Sequence, residues 1–115
     1  MSEFEWSIAR GDTDYLEIEV LDEETEAPVD ITGAVIYFTV KKSSSDSDQE
    51  ALIYKEILEH TDSVNGKSRL DILSTDTNLP IGRYLYDLVI VFSTAERKHL
   101  IPPSPFTITS TVKEV

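Results

Sequence analysis

The sequence predicts an all-β sandwich of about seven short strands, and three observations carry that expectation. Apolar residues recur mainly at every second position, the spacing of strands rather than helices. The segments between those runs, "DEETEAP", "SSSDSDQE", "SVNGK" and "STDTNLPIG", are rich in the Asp, Ser, Thr, Asn, Gly and Pro that turns require. No long helical period interrupts the pattern. A chain of 115 residues without cysteine is large enough for one core, so residues 1–115 are expected to form a single domain that needs no disulfide or metal.

The elements follow in chain order. "FEWSIA" is a short opening strand. In "DYLEIEVLD", Leu16, Ile18 and Val20 share one face and Glu17 and Glu19 the other, the signature of a half-buried antiparallel strand. "AVIYFTV" places Ala34, Ile36, Phe38 and Val40 on a core face, with Val35, Tyr37 and Thr39 opposite. The second set is also apolar or aromatic, so this strand is expected at the centre of its sheet. "GRYLYDLVIVF" behaves likewise and supplies a second central strand. "ALIYKEI", "SRLDIL" and the terminal "FTITSTV" are weaker candidates, and "ERKHL" reads as an exposed hairpin tip. Asn65-Gly66 favours positive φ at both positions and hence a tight hairpin. In "LPIGRYLYD", Gly82 precedes Tyr84 at the head of a strand, the arrangement of a tyrosine corner.

Charge excludes some partners. Ten Lys and Arg against 22 Asp and Glu give a net charge of −12, which repels phosphate backbones and anionic lipid, so neither nucleic acid nor membrane is expected as a partner. No window approaches the ~18 apolar residues of a membrane span. The N-terminal "MSEFEWSIARGD" lacks the basic region of a signal peptide, so synthesis in a cytoplasm is expected.

The residues offer little for catalysis. Only His60 and His99 are present, and nothing in the sequence sets either beside a serine and an orienting carboxylate. The carboxylates cluster in loops or on solvent faces, where they keep ordinary acidity. "DSDQEALIYKEI" opens like a calcium loop with Asp46 and Asp48, but Ala51 stands where the sharp turn needs glycine and Ile57 where the closing glutamate belongs. "DEETE" has no glycine to fold its carboxylates around an ion. Arg10-Gly11-Asp12 reads as a turn before a strand. No catalytic residue, metal ligand or cofactor is therefore expected, and the protein is expected not to be an enzyme.

Taken in order, "RGDT", "PVDITGAVIYFTVK", "GKSRLDILSTDTNLPIGRYLYDLVI" and "FTIT" resemble a domain of phage and prophage tail proteins. The chain is similar, over nearly its whole length, to the immunoglobulin-like N-terminal domain of phage baseplate upper proteins, a domain also met in small stand-alone tail proteins. The resemblance rests most on Asp30, Thr32 and Gly33 in "VDITG" and on Thr77, Gly82, Tyr84 and Tyr86 in "DTNLPIGRYLYD". It implies an immunoglobulin-like antiparallel β-sandwich and a non-catalytic structural or interaction role in a virion tail or baseplate. Because the chain ends just after its last strand, a stand-alone virion or assembly component is the expectation, made in the bacterial host cytoplasm. Its partners would be other tail or baseplate proteins, or further copies of itself.

Contact is expected through the outer face of the two central strands, with Tyr37 and Tyr86 as the residues carrying it. The competing expectation is that the terminal segments, including "SPFTITSTV", fold over that face and bury it within one chain. The second functional reading is a carbohydrate-binding or adhesive module, which would require Trp6, Tyr15, Tyr37, Tyr54 or Tyr86 to face solvent.

Overall fold

A computed structural model describes residues 4–43 and 47–112. It is all-β, with seven strands: β1 (Trp6–Ala9), β2 (Asp14–Glu19), β3 (Val35–Lys41), β4 (Ile53–Ile57), β5 (Lys67–Ile72), β6 (Gly82–Val91) and β7 (Arg97–Thr109). Among the described residues the one helical element is a single 3-10 turn, Asp48–Glu50. A curled five-stranded sheet in the order β1-β7-β6-β3-β4 lies against a two-stranded sheet of β2 and β5.

The sheet is mixed, which corrects the expectation of an antiparallel sandwich. β1 runs parallel to β7, from Trp6 opposite Phe106 to Ala9 opposite Thr109. Strands joined by a hairpin must be antiparallel, but β1 and β7 come from opposite ends of the chain and no turn dictates their relative direction.

Alternation in the sequence maps directly onto the two layers. Ile36, Phe38 and Val40 of β3, Leu88 and Ile90 of β6, Phe106 and Ile108 of β7, and Ile18, Leu70 and Ile72 of β2 and β5 are all buried. Between the layers, Trp6, Phe38, Tyr86 and Phe106 form an aromatic cluster with ring centroids 5.6–6.3 Å apart, several of them edge to face. Trp6 also donates its indole N–H to Asp14 at 2.9 Å, tying the first strand to the opposite sheet.

β7 is longer than its sequence suggests, and it takes in most of "ERKHL". The hairpin tip lies earlier, where Ala95 N–H donates to the Phe92 carbonyl and Phe92 N–H to the Glu96 carbonyl, each at 2.8 Å. Three prolines, Pro102, Pro103 and Pro105, argue against a strand here, because proline cannot donate to a ladder. They are accommodated because β1 lines only Phe106–Thr109, leaving the earlier half of β7 with β6 on one side alone. Register shifts between Tyr86 and Leu88 and between Leu88 and Val89 absorb the extra residues. Residues 104–109 of "SPFTITSTV" belong to β7 itself, so among the described residues this stretch of the strand does not lie over the outer face.

The Asn65-Gly66 turn also differs in detail. The residues with positive φ outside glycine are Glu26 and Ala95, so among the described residues Asn65 keeps a negative φ and Gly66 alone turns left-handed, at 72°. The hairpin is a four-residue loop closed by reciprocal backbone bonds of Asp62 and Lys67. The Asn65 side chain donates to Asp62 at 2.9 Å instead of supplying a second positive φ.

Candidate functional site

The motif residues of "VDITG" build a connection. The Asp30 carboxylate accepts the Thr32 hydroxyl at 2.6 Å and the Thr32 N–H at 2.9 Å, and Gly33 follows with a φ of 79° to enter β3. Those bonds, the hydroxyl first and the N–H second, hold the Asp30 carboxyl below its ordinary value of 3.8. A carboxyl more acidic in the folded than in the unfolded chain adds stability above its ordinary value and loses it as pH falls below 3.8. Asp30→Asn keeps an oxygen acceptor without the titration, so it should flatten the acid limb of the stability profile. Urea midpoints measured from neutral pH to below that value test this, and an acid limb parallel to wild type would show that Asp30 contributes nothing to it.

The second motif is equally architectural. Thr77 is fully buried and donates its hydroxyl to the Asp12 carbonyl at 2.8 Å, while Gly82 opens β6. Tyr84 is buried and donates its hydroxyl to the Pro80 carbonyl at 2.5 Å, closing a tyrosine corner. Tyr84→Phe removes that bond and should cost about 0.5–1.5 kcal/mol, the net worth of one hydrogen bond. An unchanged denaturation midpoint would show that the corner does not hold the β5–β6 connection.

Of the two tyrosines expected at an interface, Tyr37 alone lies on the outer face, where it is half-buried. Tyr86 points inward, 4% exposed, into the aromatic cluster, and its hydroxyl donates to the Phe4 carbonyl. Burial pushes its phenol above the ordinary 10.0. The alternation explains this: Tyr86 shares its face with Tyr84, Leu88 and Ile90, and β6 turns that face to the core. Tyr86 thus holds the N-terminal segment and offers no side chain to a partner.

The outer face that remains is a shallow concavity of about 370 Å³. Tyr37, Lys41, Tyr54, Val89, Val91 and Arg97 are among its lining residues, contributed by β3, β4, β6 and β7. Tyr37 and Tyr54 stand as neighbours, ring centroids 6.3 Å apart and inclined by 31°. Val89 is buried although it belongs to this face, and His99 donates to Asp87 at 3.1 Å across the bulge. Lys41, Arg97 and Asp87 are the charged side chains of the lining, and Glu56 accepts the Tyr54 hydroxyl beside it at 2.8 Å, so the rim carries both signs around an apolar and aromatic floor. Such a surface suits an extended segment with apolar side chains. The sequence offers Tyr54 only among the aromatics of an adhesive module and does not offer Arg97 as a contact residue, because only the pairing of Thr39 with Tyr54, and of Val91 with Arg97, brings them beside Tyr37.

The other candidates separate. Tyr15 is 52% exposed but lies on the opposite sheet, beneath the Arg69 guanidinium at 4.2 Å. Arg10-Gly11-Asp12 forms an exposed turn, with Asp12 N–H donating to the Ala9 carbonyl and Arg10 reaching Asn78 at 3.2 Å. Asp22 folds its own loop, accepting the Glu24 and Thr25 N–H groups at 2.9 and 3.0 Å. Asp46 lies outside the described residues, and among those described no three His, Asp or Glu gather as a metal site would.

His60 does meet a serine, a neighbour its sequence position does not reveal. Its Nδ1 lies 2.8 Å from Ser68 Oγ, and its Nε2–H donates to the Ala34 carbonyl at 2.8 Å. The pair has the spacing of a base and a nucleophile, but Ser68 is 3% exposed and faces the interior from β5. The third group is a main-chain carbonyl, so the arrangement clamps the start of β3 to β5.

Fold and face together define an all-β protein of two packed sheets. No family model matches the chain, and no curated protein matches it either.

Proposed function

We propose that this protein is a non-catalytic structural or interaction component of a phage or prophage tail or baseplate, an immunoglobulin-like module that acts by protein–protein contact. The observation that carries the contact reading is the outer face of the five-stranded sheet, where Tyr37, Tyr54, Val89 and Val91 line a concavity flanked by Lys41 and Arg97. Two further features support the domain type. A sheet ordered β1-β7-β6-β3-β4, with its first strand parallel to its last, stands opposite a β2–β5 pair. The residues that carry the tail-protein resemblance, Asp30, Thr32, Gly33, Thr77 and Tyr84, are taken up by turns and a tyrosine corner. The expected location is the virion, after synthesis in the bacterial host cytoplasm, and the expected partners are other tail or baseplate proteins.

The test is quantitative mass spectrometry of purified particles from the strain that encodes the chain. A constant copy number per particle is the expected result, and absence from particles and from their assembly intermediates overturns the reading. The adjacent Tyr37 and Tyr54 rings favour one second reading, a carbohydrate-binding or adhesive module. Saturable binding of a purified glycan, lost in Tyr37→Ala, would select it.

A further inference from the structure

The sequence treats the two edges of the five-stranded sheet differently. On one side β1 lines only Phe106–Thr109, and the remaining edge of β7 carries Pro102, Pro103 and Pro105 together with two register shifts. Prolines and bulges keep a bare edge from recruiting another strand. On the other side β4 is the last strand of the row. Its ladder to β3 runs from Ile36 opposite Ile57 to Val40 opposite Ile53 without a shift, and it contains no proline. Lys55, the one lysine of the strand, lies on the core side opposite Phe38 and gives its amine to Asp76 at 2.8 Å, so it does not reach outward from the edge. Leu52, Tyr54 and Leu58, on and beside this strand, are 44%, 51% and 66% exposed.

We propose that β4 pairs with β4 of a second copy of this chain, antiparallel about Lys55, so that two five-stranded sheets join into one. The occupant follows from the strand itself, because "IYKEI" is self-complementary in that register. Ile53 comes opposite Ile57 of the second copy on the core side, twice by symmetry, and extends both cores. Tyr54 comes opposite Glu56 of the second copy on the outer side. A phenol and a carboxylate already meet there within one chain, Tyr54 donating to Glu56 at 2.8 Å. The two Lys55 residues that face each other on the axis each bring a counter-charge, Asp76. A chain of net charge −12 repels its own copies, so self-contact is favoured where negative charge is sparse. Along β4 the one carboxylate is Glu56. The pairing rests on the reading of the chain as a protein that works by contact, and it names a partner and an edge for that contact.

Sedimentation equilibrium of the full chain, from low to high micromolar concentration, tests it with two substitutions at one exposed position. The wild type should dimerise. Tyr54→Glu sets carboxylates directly opposite each other twice over and should weaken the dimer roughly tenfold or more, with an unchanged far-ultraviolet circular dichroism spectrum. Tyr54→Lys should keep the dimer, because the introduced ammonium faces Glu56 of the second copy. A wild type that stays monomeric, a Tyr54→Glu variant that dimerises like wild type, or a Tyr54→Lys variant as impaired as Tyr54→Glu each overturns the pairing. Failure of the dimer in a protein still found in particles sinks this inference alone, whereas a dimer absent from particles and their assembly intermediates sinks the tail assignment.

Discussion

Replacing Gly66 with alanine should destabilise the protein by about 3–5 kcal/mol, the sum of a left-handed backbone strained by a side chain and an overpacked contact that cannot relax. Gly66 has a φ of 72°, and a Cβ there would stand 2.6 Å from two main-chain oxygens, those of Val20 and Val29. Neither oxygen moves freely. Val20 N–H donates to the Gly66 carbonyl at 2.8 Å, and Val29 N–H donates to the Val20 carbonyl at 2.9 Å. Relieving the clash therefore breaks the bonds that seat the turn before β5 against the end of β2. Gly33→Ala is the natural comparison, since its φ of 79° carries the same backbone cost while its Cβ would meet only the Ser93 side chain, at 3.3 Å. That variant should lose about 1–2 kcal/mol, the left-handed penalty alone. Urea denaturation of both separates the terms, and equal losses would mean that the contact on Gly66 is not as close as the geometry gives.

Truncating Phe38 should be nearly as costly. Phe38 is fully buried at the centre of the five-stranded sheet and touches Trp6, Tyr86 and Phe106 at centroid distances of 5.9, 5.9 and 6.3 Å. Phe38→Ala removes its transfer energy and leaves a cavity walled by three rings held in place by their own strands, at a cost of about 3–5 kcal/mol. Set against a typical total of about 5–15 kcal/mol, such a loss leaves little of the folded state in reserve. Trp6 is the only tryptophan, so its fluorescence reports directly on this cluster. The expected result is a lower urea midpoint together with a red-shifted Trp6 emission before unfolding begins. A shifted midpoint with native emission would place the loss elsewhere than beside the indole.

Much of the fold was legible along the chain because alternation is a local property. Leu16, Ile18 and Val20 in β2, or Ile36, Phe38 and Val40 in β3, declare which residues share a face wherever the strand ends up. Turn residues are local in the same way: the carboxylate of Asp30 and the hydroxyl of Thr32 are two residues apart and bond each other in the structure. Tyr84 is similar, reaching back only to Pro80. The length of β7 was hidden because its prolines break a rule that holds for strands paired on both sides, and only the shortness of β1 leaves them an open edge.

The sequence by itself determined the number of strands, the residues that share a face along β2 and β3, most of the turns that join the strands and the lack of cysteine. Tertiary structure alone decided the rest. It decided which face of β6 turns inward and so moved Tyr86 from a candidate surface into the core. It decided that β1 runs parallel to β7, that Tyr54 and Arg97 join Tyr37 on one concavity, that Ser68 meets His60, and that β4 is the last strand of its sheet. Each of these depends on pairing between segments far apart along the chain, and the free energy of such pairing comes from packing whole faces together, which no short stretch of residues encodes.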